Sequence, residues 1–365
     1  MYFPNVNLLR AFAALLVLVY HVIELGPWPE FPSSGALLTF RAGWVGVDLF
    51  FVISGFVIGL SAIRLYRDGD SDYQRTFMRR RLARIVPLYL LTCVAFLIAV
   101  QPAVLSLPWP KLLLQFASHL LFLHNLLPAL HGAINGPNWS VAAEMQFYVL
   151  MMLAAPLVSR IDIRALLAGG LLIAWISRAI AFWATHDLGK PFVTFVYATQ
   201  VPSMLDAFAI GLAIARLHLD GGLRRWTARS PWPPLIAAAF AFTIALDVTW
   251  QTYWSHADYW GEGVMVIFWR TGLAATFGAL VLFASLLPNV ARFVPPLDYL
   301  GDVSYGIYLW HLPVILVLTA HSVAGSPVAL LMWTLAIAIA LSALTWHFLE
   351  RPIIRRFHGR RRAPG

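Results

Sequence analysis

Six ionisable side chains stand inside apolar runs of this 365-residue chain: His21, Asp48, Glu144, Arg178, Asp206 and Arg270. A charge in an apolar run is costly to keep and marks a place where it pairs or acts. A buried histidine among carboxylates has the means to act as a general base, one carboxylate fixing its tautomer and raising its basicity. Asp48 is the first choice to orient His21. Glu144 is the second, or it holds the hydroxyl of a second reactant. The simpler alternative is an ion-pair network in which Asp48 neutralises Arg178, or Glu144 neutralises Arg270.

Other residues extend this set. Arg10 and His21 are eleven positions apart, so on a helix they share nearly one face, separated by about 16 Å along the axis. Arg79, Arg80, Arg81 and Arg84 crowd one short stretch, and guanidinium groups recognise phosphate bidentately. Ser54, Tyr305 and Tyr308 carry hydroxyls able to stabilise a developing oxyanion, although Ser54 beside Gly55 also suits close helix packing. His311 is expected as a core histidine or a participant. The single cysteine, Cys93, lies in an apolar run and reads as a core residue, which leaves no intramolecular disulfide and no cysteine metal site.

The elements that must position these groups are membrane helices. The sequence is 60% hydrophobic and only 12% charged, with mean hydropathy +0.73. A spanning helix needs roughly 20 apolar residues. Runs of that kind fall at about 8–25, 43–63, 85–101, 140–159, 164–184, 203–217, 234–250, 264–287, 303–320 and 327–349. The first lacks a small-residue cleavage site and reads as a retained helix. The short run 112–127, flanked by Pro108, Pro110 and Pro128, reads as re-entrant or interfacial. Charge decides this. If 112–127 turns back, all but five of the 26 Lys and Arg residues face one side, the exceptions being Arg41, Lys111, Lys190, Arg178 and Arg270. The expectation is an all-α integral membrane protein with about ten transmembrane helices and both termini cytoplasmic. One transmembrane domain covers 1–352, followed by a basic cytoplasmic tail at 353–365. The basic pI of about 10 therefore reflects topology and excludes nucleic acid as a partner.

Six stretches in order give the chain a family likeness. They are Asn7–Ala14 leading to Tyr20-His21, Gly46–Phe56, Phe77–Pro87, Trp139–Tyr148, Leu300–His311 and Glu350-Arg351-Pro352. Together they resemble the membrane acyltransferase-3 family. The first carries an Arg-x10-His spacing, and Trp139 opens a Trp-Ser…Glu-x-x-Phe-Tyr element around Glu144. Some members of that family carry an appended esterase-like domain, and a stand-alone member is expected here.

The resemblance implies an O-acyltransferase, acyl-CoA (acetyl-CoA above all) as donor substrate, and no tightly bound cofactor or metal. Arg10, Arg79, Arg80, Arg81 and Arg84 are then expected to bind the donor. His21, Asp48 and Glu144 would do the chemistry. Ser54, Trp139, Arg178, Asp206, Arg270, Tyr305, Tyr308 and His311 would meet the substrate. Transfer proceeds either directly from the thioester or through an acylated His21. The expected acceptor is a cell-surface or exported glycan, or a lipid-linked saccharide, approaching from the outer face of a bacterial inner membrane. Aromatic residues of the outer loops, among them Trp28, Trp254 and Trp260, suit sugar stacking or an interfacial belt. The alternatives are a small-molecule acceptor such as a macrolide sugar, and a non-catalytic glycan exporter. Against the exporter, the sequence has no paired interrupted helices in matching halves.

Overall fold

The computed structural model describes residues 3–26, 28–223, 230, 232–256, 258–288 and 295–357. Among them, ten helices are long and apolar enough to cross a membrane, one for each expected run, although the third begins at Tyr73, twelve residues before the expected 85, and the last runs on to Phe357. The chain is an integral membrane protein. The helices are α1 (Pro4–Leu25), α2 (Gly46–Arg67), α3 (Tyr73–Ala99), the short α4 (Trp109–Leu120), α5 (Asn138–Val158), α6 (Ile163–Thr185), the short α7 (Pro191–Ala198), α8 (Leu205–Leu219), α9 (Trp232–Ser255), α10 (Arg270–Leu286), α11 (Pro295–Ala320), α12 (Pro327–Thr345) and the terminal α13 (Arg351–Phe357). Of the expected basic tail, residues 358–365 lie outside the described residues, as do Arg224, Arg225 and Arg229.

Local chemistry sets several starts. Asp162 caps α6 by accepting the Arg164 N–H at 2.8 Å, and Ser326 caps α12 by accepting the Ala329 N–H. Proline opens α1, α7 and α12, where a missing N–H costs nothing. Two π-turns interrupt the regular ladder, at Met265–Trp269 before Arg270 and at Trp346–Glu350. Each inserts a residue and so turns the following side chain to a new bearing.

The central pair is α2 against α8, with α1 packed along α11. Two glycines bring α2 and α8 into near backbone contact. A Cβ on Gly55 would stand 2.3 Å from the Phe208 carbonyl oxygen, and one on Gly211 would stand 2.2 Å from that of Val52. Close approach through small residues is how helices associate where lipid removes the hydrophobic driving force. At the rim, α9 packs chiefly on α10 and leaves most of its surface to lipid.

The short segment is corrected in its limits. α4 has twelve residues, about 18 Å, too short to span. It exposes Leu113, Leu114, Phe116 and Leu120, as an interfacial helix does. The part that enters the bundle comes later, at 121–137. There Asn125, His131 and Asn135 are buried. Irregular backbone inside a membrane must find its hydrogen bonds in protein. Gln146 Nε2 donates to the Phe122 carbonyl at 2.8 Å, Gln200 Nε2 to that of Asn125 at 2.7 Å, and Asn135 Nδ2 to that of Leu309 at 3.0 Å.

The glycine crossing yields a stability test. Gly211→Ala must push backbone apart and is expected to cost about 1–3 kcal/mol. Gly169→Ala, where nothing lies within 4 Å of the new Cβ, is expected to be neutral or stabilising. Thermal unfolding in detergent compares the two.

Candidate active site

Two cavities lie end to end inside the bundle, and Val47 and Tyr308 line both. The first, of about 100 Å³, is bordered by Arg10 of α1, Ser54 of α2, Arg81 and Arg84 of α3, and Glu144 and Tyr148 of α5. The second, of about 410 Å³, is bordered by His21 of α1, Asp48 of α2, Trp139, Trp260 and Arg270. α1 therefore runs past both cavities, with Arg10 in one and His21 in the other, as their shared helix face requires.

His21 is held by its neighbours in one orientation. Its Nδ1 lies 3.0 Å from the Val17 carbonyl oxygen and 3.2 Å from Nε2 of His311. His311 in turn places Nδ1 2.6 Å from the Tyr308 carbonyl oxygen. A nitrogen facing a carbonyl carries the proton, so His311 donates from Nδ1 and offers the lone pair of Nε2. His21 Nδ1 then faces two acceptors and must be the N–H. The lone pair of His21 is left on Nε2. Asp48, expected to orient this ring, does not: its Oδ1 accepts from Arg270 Nη1 at 3.0 Å. Glu144 does not either. It accepts from Ser54 Oγ at 2.7 Å and from Tyr148 at 2.8 Å, in the first cavity. α5 begins at Asn138, deep in the bundle, so Glu144 sits level with Ser54 rather than with Asp48.

The charged residues form other pairs than those expected. Arg270 and Asp48 are 3% and 2% exposed, and Arg270 Nε donates to the Tyr259 hydroxyl at 3.2 Å. Its guanidinium carbon stands 5.1 Å from the Trp44 ring centre and 5.7 Å from that of Trp260. Arg178 and Asp206 are bonded to one another and both reach the Thr271 hydroxyl. They border neither cavity, and with Thr271 they tie α6, α8 and α10 together.

Of the four clustered arginines, two reach the first cavity. Arg81 and Arg84 face the first cavity, while Arg79 packs its guanidinium over Phe357 and Arg80 does not reach the cavity. At 100° per residue, position 79 points about 140° or more away from 81 and 84, whereas position 80 is about 40° from 84, so phase sets apart Arg79 alone. Arg84 is partly neutralised by Glu350, 3.1 Å away and 1% exposed, which the π-turn at the end of α12 aims inward. The hydroxyls expected as oxyanion donors are committed. Ser54 donates to Glu144 and Tyr305 to the Ile85 carbonyl oxygen at 3.0 Å. The Tyr308 and Ser140 hydroxyls, 2.7 Å apart, share the Pro137 carbonyl oxygen.

Sequence reasoning missed much of the second cavity's wall. Tyr20, Trp44, His131, Phe192 and Phe195 line it. Tyr20 sits on α1 beside His21, and the others sit on turns or short helices, where no periodicity marks them; the X-Pro start at Pro191 was the available signal. His131 stacks on Trp139, ring centres 5.5 Å apart. Cys93 is a buried core residue that accepts from Asn138 Nδ2. Among the described residues, no three His, Cys, Asp or Glu side chains come together as a metal site.

The ion pair yields a second test. Asp48→Asn leaves the Arg270 charge buried without a counter-charge, at a cost of about 3–5 kcal/mol. Adding Arg270→Met is expected to restore most of that stability, as read by unfolding in detergent.

A family description of an acyltransferase domain matches residues 3–348. Among curated relatives, YrhL of Bacillus subtilis (strain 168), named for peptidoglycan O-acetylation, is 29% identical over 96% of this chain and 55% of its own length. The acyltransferase MdmB of Streptomyces mycarofaciens is 28% identical over 98% of this chain and 93% of its own length. The O-acetyltransferase OatA of Staphylococcus aureus (strain NCTC 8325 / PS 47) is 26% identical over 97% of this chain and 58% of its own length. The chain thus spans little more than half of YrhL and OatA. No solved structure matches it. With six ordered motifs on ten spanning helices and a match over 3–348, the chain belongs to the membrane acyltransferase-3 family.

Proposed function

We propose that the protein is an O-acyltransferase of a bacterial inner membrane, which moves an acetyl group from cytoplasmic acetyl-CoA to a hydroxyl of a glycan on the other side. The observation that carries this reading is the pair of cavities meeting at Val47 and Tyr308, one bordered by arginines and the other by His21. Three relatives named as acyl- or acetyltransferases support the reaction class.

The chemistry follows from the geometry. CoA carries its negative charge at the nucleotide end and its thioester at the tip of a thin arm. The first cavity is narrow, which suits the arm, and Arg81 and Arg84 border it where phosphates would rest. Glu144 offsets part of the cationic charge further in. The thioester tip would pass Val47 and Tyr308 to reach His21. The acceptor hydroxyl gives its proton to His21 Nε2, whose lone pair is kept available by the two acceptors around Nδ1. The oxygen attacks the thioester carbonyl and an ester bond forms. The C–S bond breaks, and the thiolate takes the proton from His21 as CoA leaves. His311 acts through His21: it positions the ring and holds its tautomer.

Purified protein in nanodiscs, with labelled acetyl-CoA and crude bacterial polysaccharide precursors, tests this. His21→Ala is expected to lower turnover about 10²–10⁴-fold with CoA binding retained. His311→Phe is expected to lower kcat about tenfold with the acceptor KM unchanged, and His311→Gln, which still offers an acceptor, to recover part of the loss. Arg81→Ala is expected to raise the donor KM about tenfold or more. CoA binding without any turnover would favour the exporter instead. The orientation is tested separately, in a background lacking Cys93. A cysteine at Asp70 is expected to react with impermeant reagent only in inverted vesicles, and one at Lys190 only in right-side-out cells.

A further inference from the structure

The two cavities differ in charge as well as in width. Arg10, Arg81 and Arg84 face Glu144 in the first, which leaves it cationic. In the second, Asp48 and Arg270 are the only Asp, Glu, Lys or Arg side chains among the described residues of the wall, and they are bonded to each other. The rest of that wall is largely aromatic. Trp139 and Trp260 each meet the edge-on ring of Phe195, at centre distances of 5.3 Å and 5.4 Å, so the three form a continuous surface. Trp44 and Tyr20 add to it on the side of His21.

We infer that the acceptor group seated beside His21 is an uncharged sugar ring lying against the Trp139, Phe195 and Trp260 wall, and that a ring carrying a carboxylate or an amine is rejected. This deepens the reading above and rests on the second cavity being the acceptor's. A pyranose has an apolar C–H face that packs on aromatic planes, and a rim of hydroxyls that needs polar partners. The cavity offers both, with the Tyr20 hydroxyl and the His21 imidazole on the polar side. Its volume is in the range of small-molecule sites. A charged substituent would lose water and meet no net counter-charge, because the Asp48 carboxylate, whose Oδ1 accepts from Arg270 and whose Oδ2 has no hydrogen-bond partner among the described residues, is already neutralised by Arg270.

The test is a binding measurement that needs no turnover. Nitrophenyl glycosides of a neutral hexose, an N-acetylhexosamine, a hexuronic acid and an amino sugar are titrated onto the wild-type protein in nanodiscs, with tryptophan quenching as readout. Both neutral probes are expected to bind about tenfold or more tightly than either charged one. Trp260→Ala and Phe195→Ala are each expected to weaken the neutral probes about fivefold, with CoA binding as the control for an intact fold. Equal or tighter binding of a charged probe would overturn the inference. So would unchanged affinity in both aromatic variants, or no binding of either neutral glycoside. Failure of CoA to bind would strike the donor reading instead, and the sugar profile would stand apart from it.

Discussion

The Arg270–Asp48 ion pair is the interaction around which the site is arranged. A guanidinium inside an apolar bundle is tolerated only where a counter-charge and hydrogen-bond acceptors meet it. Asp48 on α2 supplies the charge, and the Tyr259 hydroxyl accepts a further bond. Trp44 and Trp260 cover the guanidinium faces. These contacts bring α2, α10 and the Tyr259–Trp260 turn to one place. The pair also decides the character of the second cavity. By neutralising each other, two charges become a wall, and what remains for a ligand is aromatic surface and the His21 ring.

A second constraint acts from the opposite side. The 121–137 segment leaves helical geometry inside the bundle; Gln146 and Gln200 satisfy carbonyls of its backbone, and its own Asn135 ties it to the Leu309 carbonyl of α11. That lets α5 begin deep in the bundle and sets Glu144 at the level of Ser54. One carboxylate is thereby moved out of the histidine cavity and into the arginine cavity. The division of labour between the cavities depends on this displacement as much as on the ion pair.

The helices were legible because apolar length is a direct physical requirement of the bilayer. His21, Asp48, Glu144, Arg178, Asp206 and Arg270 stood out for the same reason: ionisable groups in apolar runs need partners. Their pairing was not legible. Asp48 could meet Arg178, Arg270 or His21 until helix order around the bundle was known. That Arg79 points away from Arg81 and Arg84 follows from helical phase and was available in the sequence, but Arg80, four positions from Arg84, could not be set apart in this way. The histidine pair was not, since His21 and His311 are 290 positions apart and only the packing of α1 on α11 joins them. The aromatic wall was hardest to see, because Trp44, His131, Phe192 and Phe195 lie on turns and short helices whose place is set by tertiary contacts.

The central claim is that donor and acceptor enter from opposite ends and meet at His21. Sealed proteoliposomes test it most directly, with acetyl-CoA confined to one compartment and glycan acceptor to the other. The account predicts acetylated acceptor when the two reactants are separated by the membrane, and none when both are confined to the same side. Equal acetylation with both reactants on one side would contradict it, and would place donor and acceptor at a single entrance.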